Sequence, residues 1–316
     1  MHNPGNPVCY FSVLIPAYNR AHTLPRTFTS LEKQTFRDFE VVIVDDGSGD
    51  GTRALVKHWR STVDFPVHYI YQENQGKHAA HNTGVAAARG MMTVILDSDD
   101  WFSDNTLERI RYHWESIPEL RREDYAGVEG LSAMGDGKVA GDKYPQDIFD
   151  CDYLGVRMKH HIRGDKCNAI LTAILRQFPY PVVEGENHMP PAYVFKRIAH
   201  HYKTRHINEV LQFKEYQPGG LTSDRFALRM RVPRSLRMYH FDDISLHKND
   251  MSMGYLIINY ARYIRYSLHS GVTLSRQWME VPSKVFWLAG LPKGFIAWIR
   301  DRRRMARRNK SSMDKS

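Results

Sequence analysis

The sequence predicts an α/β fold: a mostly parallel sheet with helices on both faces, followed by a C-terminal helical extension. Apolar runs of strand length alternate with stretches of helical period through the first 120 residues, the order a βαβ succession imposes. A polar cluster follows each of those runs. Beyond Pro218-Gly219-Gly220 the strand signal stops and a long helical stripe begins.

Val8 to Ile15 reads as the first strand. Leu24, Phe28 and Leu31 then share one helical face, with Thr23 placed to cap and Pro25 tolerated in the first turn. Phe39 to Val44 is a second strand, nearly all apolar as a strand covered on both faces should be. Leu55 and Trp59 mark a short second helix, Val67 to Tyr71 a third strand, and His78 to Arg89 an alanine-rich third helix. Met92 to Leu96 is a fourth strand, and Leu107, Ile110 and Trp114 recur at helical spacing after it. The region from Gly127 to about Thr222 is less regular. Gly135-Asp136-Gly137-Lys138 reads as a hairpin turn, Ala169 to Leu175 as a strand and Tyr193 to Tyr202 as a helix. Met253, Leu256, Ile257, Tyr260, Ile264 and Leu268 form a helical stripe ending at Gly271. Such a helix packs on the sheet domain or on a second subunit, which would make a homo-oligomer.

At 316 residues the chain accommodates two domains, divided here as 1–222 and 223–316. Cys9, Cys151 and Cys167 lack metal-ligand spacing and leave an odd thiol, which points to a reducing compartment. The N-terminus lacks the basic and apolar regions of a signal peptide, and no apolar run reaches the ~18 residues of a membrane span. A cytoplasmic location is therefore expected. Of the net charge of +9, the segment from Lys293 to Ser316 carries +7, with nine Lys/Arg against Asp301 and Asp314. The remainder is nearly neutral, which argues against nucleic-acid binding by the main fold.

The polar clusters carry the chemistry. Pro16-Ala17-Tyr18-Asn19-Arg20, Asp45-Asp46-Gly47-Ser48, Asn74-Gln75-Gly76-Lys77 and Asp97-Ser98-Asp99-Asp100 follow strands one to four. In a parallel sheet those ends share one edge, where such folds bind ligands. An aromatic ring, two acid pairs and a lysine suit a nucleotide. Tyr18 would stack on the base, Asp45 or Asp46 accept its N–H, Lys77 meet phosphate, and Asp99 hold a metal on the diphosphate. Three carboxylates in four residues repel one another unless a hard cation such as Mg²⁺ or Mn²⁺ sits among them. A solvated acidic turn with Asp104 as helix N-cap is the competing structural explanation.

These residues resemble the inverting family-2 glycosyltransferases of the GT-A fold, in the branch that builds bacterial surface polysaccharide. The resemblance also runs through Gln34-Thr35-Phe36-Arg37-Asp38-Phe39-Glu40, Asp50, Thr52, Asn74, Gly76, Asn82, Gly84, Ala88 and Gly90, and Asp97-Ser98-Asp99-Asp100 supplies a DxD motif. It implies a GT-A sheet and a metal-dependent, inverting transfer of a hexosyl or N-acetylhexosaminyl group from a nucleotide sugar, a UDP-sugar first, to a hydroxyl of a glycan or lipid-linked acceptor. It implies that Tyr18 and Asp46 hold uracil within a pocket of Pro16, Ala17, Tyr18, Asp45, Asp46, Lys77, Asp97 and Ser98. Asp97 would lie near the ribose or sugar, and Asp99, with Asp97, would ligate Mn²⁺ or Mg²⁺.

Inversion needs a base for the acceptor hydroxyl. Where the resemblance calls for Glu-Asp before a helix, this chain has Glu186-Asn187, and an amide cannot act as a base. A branch that also shares Arg163-Gly164-Asp165-Lys166 and Phe178-Pro179 keeps only the glutamate. Glu186 is therefore the expected base, ahead of Glu184 and Asp165. His188, His240 and His247 lack ligand spacing and are expected to be surface or packing residues.

Val285 to Leu291 and Phe295 to Ile299 read as two apolar pieces broken at Pro292, followed by the arginine cluster. They suit an interfacial segment at an anionic membrane over residues 285–310, with Trp287 and Trp298 at headgroup depth, or else a last core helix with a basic tail. Peripheral attachment to the inner face of the cell membrane would follow. Two rival functions are weaker. Gly49-x-Gly51-x-x-Ala54 imitates a dinucleotide fingerprint but follows the second strand and two aspartates. A catalytically inert nucleotide fold, acting as a membrane or nucleic-acid binding module, is the non-enzymatic alternative.

Overall fold

The computed structural model describes residues 7–215 and 224–313. The Pro218-Gly219-Gly220 boundary and the extreme termini lie outside the described residues. Packing divides the chain into two compact units, Met1–Val182 with Pro191–Gly220, and Val183–Pro190 with Leu221–Ser316.

The first unit is a nine-stranded sheet in the order β3-β2-β1-β4-β8-β6-β9-β5, with β7 added on β9. Its near half is β1 (Cys9–Ala17), β2 (Phe39–Asp46), β3 (Val67–Gln72) and β4 (Gly90–Ile95), all parallel. Helices α1 (Leu24–Glu32), α2 (Thr52–Arg60) and α3 (Lys77–Ala87) connect them. Phe11, Val13 and Ile15 meet Leu24, Phe28 and Leu31 of α1 and Val56 and Trp59 of α2 on one face. On the other, α3 lies so close that a Cβ on Gly84 would stand 2.0 Å from Leu14. Alternate residues of β1 thus face different helices, which explains its uninterrupted apolar sequence. Thr23 stands at the N-cap of α1 as expected, but its side chain makes no capping bond.

The far half is less regular. After β4 come β5 (Trp101–Phe102), α4 (Thr106–Glu115), β6 (Tyr125–Met134), β7 (Ile148–Cys151), β8 (Lys166–Leu171), α5 (Thr172–Gln177), α6 (Ala192–Ile198) and β9 (Lys203–Lys214). Leu107, Ile110 and Trp114 of α4 are buried as their spacing predicts, but its N-cap is Asn105 rather than Asp104. Strand β8 runs antiparallel to both β4 and β6, and β9 parallel to β6. The expected strand from Ala169 to Leu175 therefore begins earlier and stops at Leu171, where Thr172 opens α5. The turn at Gly135 to Lys138 forms as read, with Gly137 at φ 85° and the Met134 amide bonded to the Lys138 carbonyl. Buried Glu129 of β6 accepts from Tyr144 Oη at 2.6 Å and pairs with His206 Nδ1 of β9 at 3.1 Å. Burial opposes its charge, yet His206 and Tyr144 hold its carboxyl below the usual range. Cys9, Cys151 and Cys167 are free thiols.

The second unit is helical: α7 (Arg225–Arg231), α8 (Pro233–Ser245), α9 (Met253–His269), α10 (Leu274–Glu280) and α11 (Lys284–Met313). Leu256, Tyr260 and Ile264 of α9 are buried with Ile244, Val281 and Trp287, and Gly271 follows the helix at φ 74°. The expected break at Pro292 does not occur. Proline removes one intrahelical bond, and α11 continues because Gly290 and Gly294 bring its backbone onto α9. A Cβ on either would stand 2.9 Å or less from the Ala261 backbone. Trp287 is buried against α9, so it cannot sit at headgroup depth, and Trp298 is half-buried against Phe295. Asp301 accepts from Arg265 at 2.6 and 2.7 Å, and Arg308 reaches Asp224 at 2.7 Å. Part of the basic tail is therefore built into the helical unit.

Candidate active site

The four polar clusters converge at the carboxyl edge of the parallel half. Pro16 and Ala17 are not loop residues but the buried end of β1, paired with Val44 and Asp45. Tyr18 follows them and is 48% exposed, open to stacking. Asn19, at φ 53°, donates its amide to Ser48 Oγ at 2.8 Å and accepts from the Gly49 amide at 2.9 Å. Gly47, at φ 84°, packs so tightly that a Cβ would stand 2.9 Å from the Asn74 amide. The loops after β1 and β2 are thereby joined by backbone-to-side-chain hydrogen bonds, and those after β2 and β3 by close backbone contact.

Asp45 and Asp46 end β2 fully buried, which the sequence did not reveal. Asp45 accepts from the Ser48 amide at 2.8 Å and from Tyr69 Oη at 2.5 Å. Asp46 accepts from Gln72 Nε2 and the Gln75 and Gly76 amides at 2.7 to 2.9 Å. Both carboxylates thus order the loops after β2 and β3, and Tyr69 and Gln72 are partners that strand periodicity alone could not identify.

Lys77, the first residue of α3, places its ammonium on Asp97, tying the third cluster to the fourth. Partial burial opposes ionisation of Asp97, but Lys77, with Lys214 and Arg20 beyond it, holds its carboxyl below the usual range. Ser98 and Asp100 are buried, whereas Asp97 and Asp99 are partly exposed. Helix α1 holds this turn. Thr27 Oγ1 donates to the Asp100 carbonyl at 2.8 Å, and Arg26 donates to the Asp99 carbonyl at 2.9 Å while lying 3.8 Å over the Trp101 ring. Burial, then Asp97, push Asp100 up to about 7, against the opposing charge of Lys214. Gln212 donates to it at 3.0 Å. Lys214, at the end of β9, stands 3.5 Å from Asp100 and 2.9 Å from Asp165, a link the sequence did not signal.

A divalent cation fits this donor set. Asp97 and Asp99 offer hard oxygens at a partly exposed turn, and no group of three or more His, Cys, Asp or Glu among the described residues could hold a metal ion by itself. Two carboxylates completed by substrate phosphate suit Mg²⁺ or Mn²⁺ better than a self-sufficient protein site would.

Glu186 lies in the second unit. Its carboxylate is buried and accepts from the Arg234 amide at 2.9 Å and the Ser235 amide at 2.7 Å. These are the first two N–H groups of α8, which begins with Pro233 and has Val232 at its N-cap, so no local side chain can cap it. Glu184 is exposed, and its carbonyl accepts from Arg234. Asn82 brackets the Tyr180 backbone, accepting from its amide at 2.9 Å and donating to its carbonyl at 2.7 Å.

A sequence model described as glycosyl transferase family 2 matches residues 12–120, the span that holds all four clusters. Over those residues the chain resembles glycosyl transferase family 2. It is 31% identical to glycosyltransferase GlyA of Streptococcus pneumoniae over 143 residues, 44% of this chain and 20% of the relative, so it spans about a fifth of that protein. The fold is that of S. aureus TarS 1–349 in complex with UDP-GlcNAc, with TM-score 0.55, 19% identity, and coverage of 89% of this chain and 79% of that one. It is likewise that of a mannosyltransferase from Pyrobaculum calidifontis in complex with GDP-Man and Mn²⁺, with TM-score 0.53, 21% identity, and coverage of 92% and 88%. The expected GT-A fold is therefore present, with helices on both faces and a C-terminal helical extension.

Proposed function

We propose that this chain transfers a sugar from a nucleotide sugar, a UDP-sugar first, to a hydroxyl of a glycan or lipid-linked acceptor with inversion, in surface-polysaccharide synthesis. The supporting observation is the convergence of Tyr18, Asp46, Lys77, Asp97 and Asp99 on one sheet edge. Solved proteins of this fold hold UDP-GlcNAc, or GDP-Man with Mn²⁺. In this reading Tyr18 stacks on the base, with Pro16 and Ala17 as the pocket floor, while Asp45 and Asp46 set the loops and Asp46 meets the base N–H. Lys77, released from Asp97, meets phosphate beside Ser98. Asp99 and Asp97 would hold Mn²⁺ or Mg²⁺, which neutralises charge on a leaving diphosphate. Residues 1–222 would form the catalytic domain and 223–316 its extension.

The test is stabilisation and turnover. UDP with Mn²⁺ should raise the unfolding temperature, since a ligand bound only by the folded state adds stability as RT ln(1 + [L]/Kd). UDP release from a UDP-sugar should require the divalent ion. No shift with UDP or GDP would sink the proposal and leave the inert binding module standing.

The helical unit suits a peripheral membrane location on the cytoplasmic side. No helix among the described residues is long and apolar enough to cross a membrane. Opposite the glycines that meet α9, however, Val285, Leu288, Phe295 and Ile296 are 41 to 75% exposed on one side of α11. Arg300, Arg302, Arg303 and Arg307 continue that helix, also exposed. Leu288→Glu with Phe295→Glu should reduce sedimentation with vesicles of anionic phospholipid at least about tenfold if these side chains insert. Equal sedimentation of variant and wild type would exclude this surface.

A further inference from the structure

We infer that Asp165 is the general base of the transfer, held in place by Lys214. The inference rests on the glycosyl-transfer reading and concerns the one part of that site the near half of the sheet does not supply. Strand β8 is antiparallel to β4, with Ala169 opposite Val94, so the residues before β8 lie alongside the turn that follows β4. Asp165 is thereby brought to the Asp97–Asp100 turn from across the sheet. The Lys214 ammonium stands between Asp165 at 2.9 Å and Asp100 at 3.5 Å.

The backbone at this position is fixed. Gly164, at φ 96°, and Gly141, at φ 119°, meet so closely that a Cβ on either would fall 2.5 Å or less from the opposing backbone. The Asp165 amide donates to the Ala140 carbonyl at 3.1 Å, and Arg157 donates to the Gly164 carbonyl at 3.2 Å. The carboxylate is nonetheless about half exposed, with 53% of its side chain accessible. A rigid backbone, one oriented oxygen and access from solvent are what an acceptor hydroxyl requires of its base.

Asp45, Asp46, Asp97, Asp100 and Glu186 are committed, whereas Glu184 is an exposed residue of the second unit. Asp45 and Asp46 are buried under two and three hydrogen bonds. Asp100 is buried against Gln212 and Lys214, and Asp97 pairs with Lys77. Both oxygens of Glu186 accept backbone amides of α8, so freeing it as a base would uncap that helix. In the step itself, Asp165 takes the acceptor hydroxyl proton as the oxygen forms its bond to the anomeric carbon. The bond from that carbon to the diphosphate oxygen breaks on the opposite side, and its electron pair leaves with the diphosphate.

The test uses the full chain with Mn²⁺ and UDP-GlcNAc, UDP-glucose and GDP-mannose as probes, reading nucleotide release with water as acceptor, and UDP or GDP binding by calorimetry. Asp165→Asn should lower turnover at least about 100-fold, the usual scale of a lost general base, with nucleotide affinity within about threefold. Asp165→Glu should restore part of the rate. Glu186→Gln is the competing variant, scored per folded molecule by circular dichroism. Unchanged turnover in Asp165→Asn, loss confined to Glu186→Gln, or nucleotide binding without turnover of any probe overturns the assignment. Failure of the wild type to bind either nucleotide with Mn²⁺ instead overturns the glycosyl-transfer reading, and the assignment with it.

Discussion

The two halves of the sheet bury different kinds of residue. In the parallel half, β1 and β2 bury mostly apolar side chains on both faces, with Glu40 inside β2 held by Ser12 and Arg89. The site acids Asp45 and Asp46 stand at the last positions of β2, so geometry comes mainly from packing and chemistry from strand ends. In the far half, β6 and β9 bury Glu129, Arg205, His206 and Gln212 in the strands themselves, each bonded to a side chain distant along the chain. Apolar packing tolerates small errors in register. A buried ion network does not, because a lost partner leaves a charge without compensation. The near half thus presents its loops on a stiff, mostly apolar support, while the far half holds its loops by specific polar contacts.

Four substitutions would break or sharpen this contrast. Asp99→Asn removes a carboxylate from the near edge without disturbing the core. It should reduce divalent-dependent nucleotide release at least about a thousandfold, roughly 4 kcal/mol in the barrier, with the unfolding midpoint little changed. Retained turnover with Mn²⁺ would separate this acid from the chemistry. Glu129→Ala in the far half should do the reverse, costing about 3 kcal/mol in urea unfolding because His206 and Tyr144 lose their shared partner. A cost well below 1 kcal/mol would show that the far half is not held by its polar network.

His81 tests the near half by titration. It lies buried on α3, and burial first, with Lys77 second, lowers its pKa from 6.5 to about 4. Between those values the unfolded chain binds the proton and the folded chain does not, so stability falls as pH drops. The contribution is about 2 kcal/mol between pH 7 and pH 5. His81→Gln should flatten that part of the stability curve, and an identical slope in the variant would show that His81 does not titrate there. Tyr69→Phe is the mildest change. Losing its hydrogen bond to Asp45 should cost about 1 kcal/mol and weaken nucleotide affinity only slightly, and a large loss of affinity would mean that the loops depend on single contacts.

The same contrast explains what the sequence made legible. Phe39 to Val44 announces itself because every side chain but Glu40 is apolar, and Leu24, Phe28 and Leu31 because a helix against a sheet needs one such face. Lys203 to Lys214 looks like a surface segment, since Thr204, Arg205, His206 and Gln212 are polar and their burial depends on Asp150, Glu129 and Asp100 from other strands. The acid turn at Asp97 was visible as a local cluster. The Asp165–Lys214 pair joins residues 49 positions apart through the register of β8 and β9, and no local pattern records it. Glu186 was readable as an acid placed before a helix, but the helix whose amides it binds begins at Pro233 rather than nearby.

That cap also bears on how the chain could be divided. Because Val183–Pro190 packs with the helical unit, the polypeptide passes between the units at 182/183, at 190/191 and again at 220/221. A protein ended near residue 220 would keep Glu186 while discarding both amides it binds, and a helical fragment started there would begin with α8 uncapped. The sheet and the helices are thus not exchangeable cassettes joined by one linker. Grafting this helical extension onto another sheet would require transplanting an eight-residue insert along with the C-terminal third of the chain.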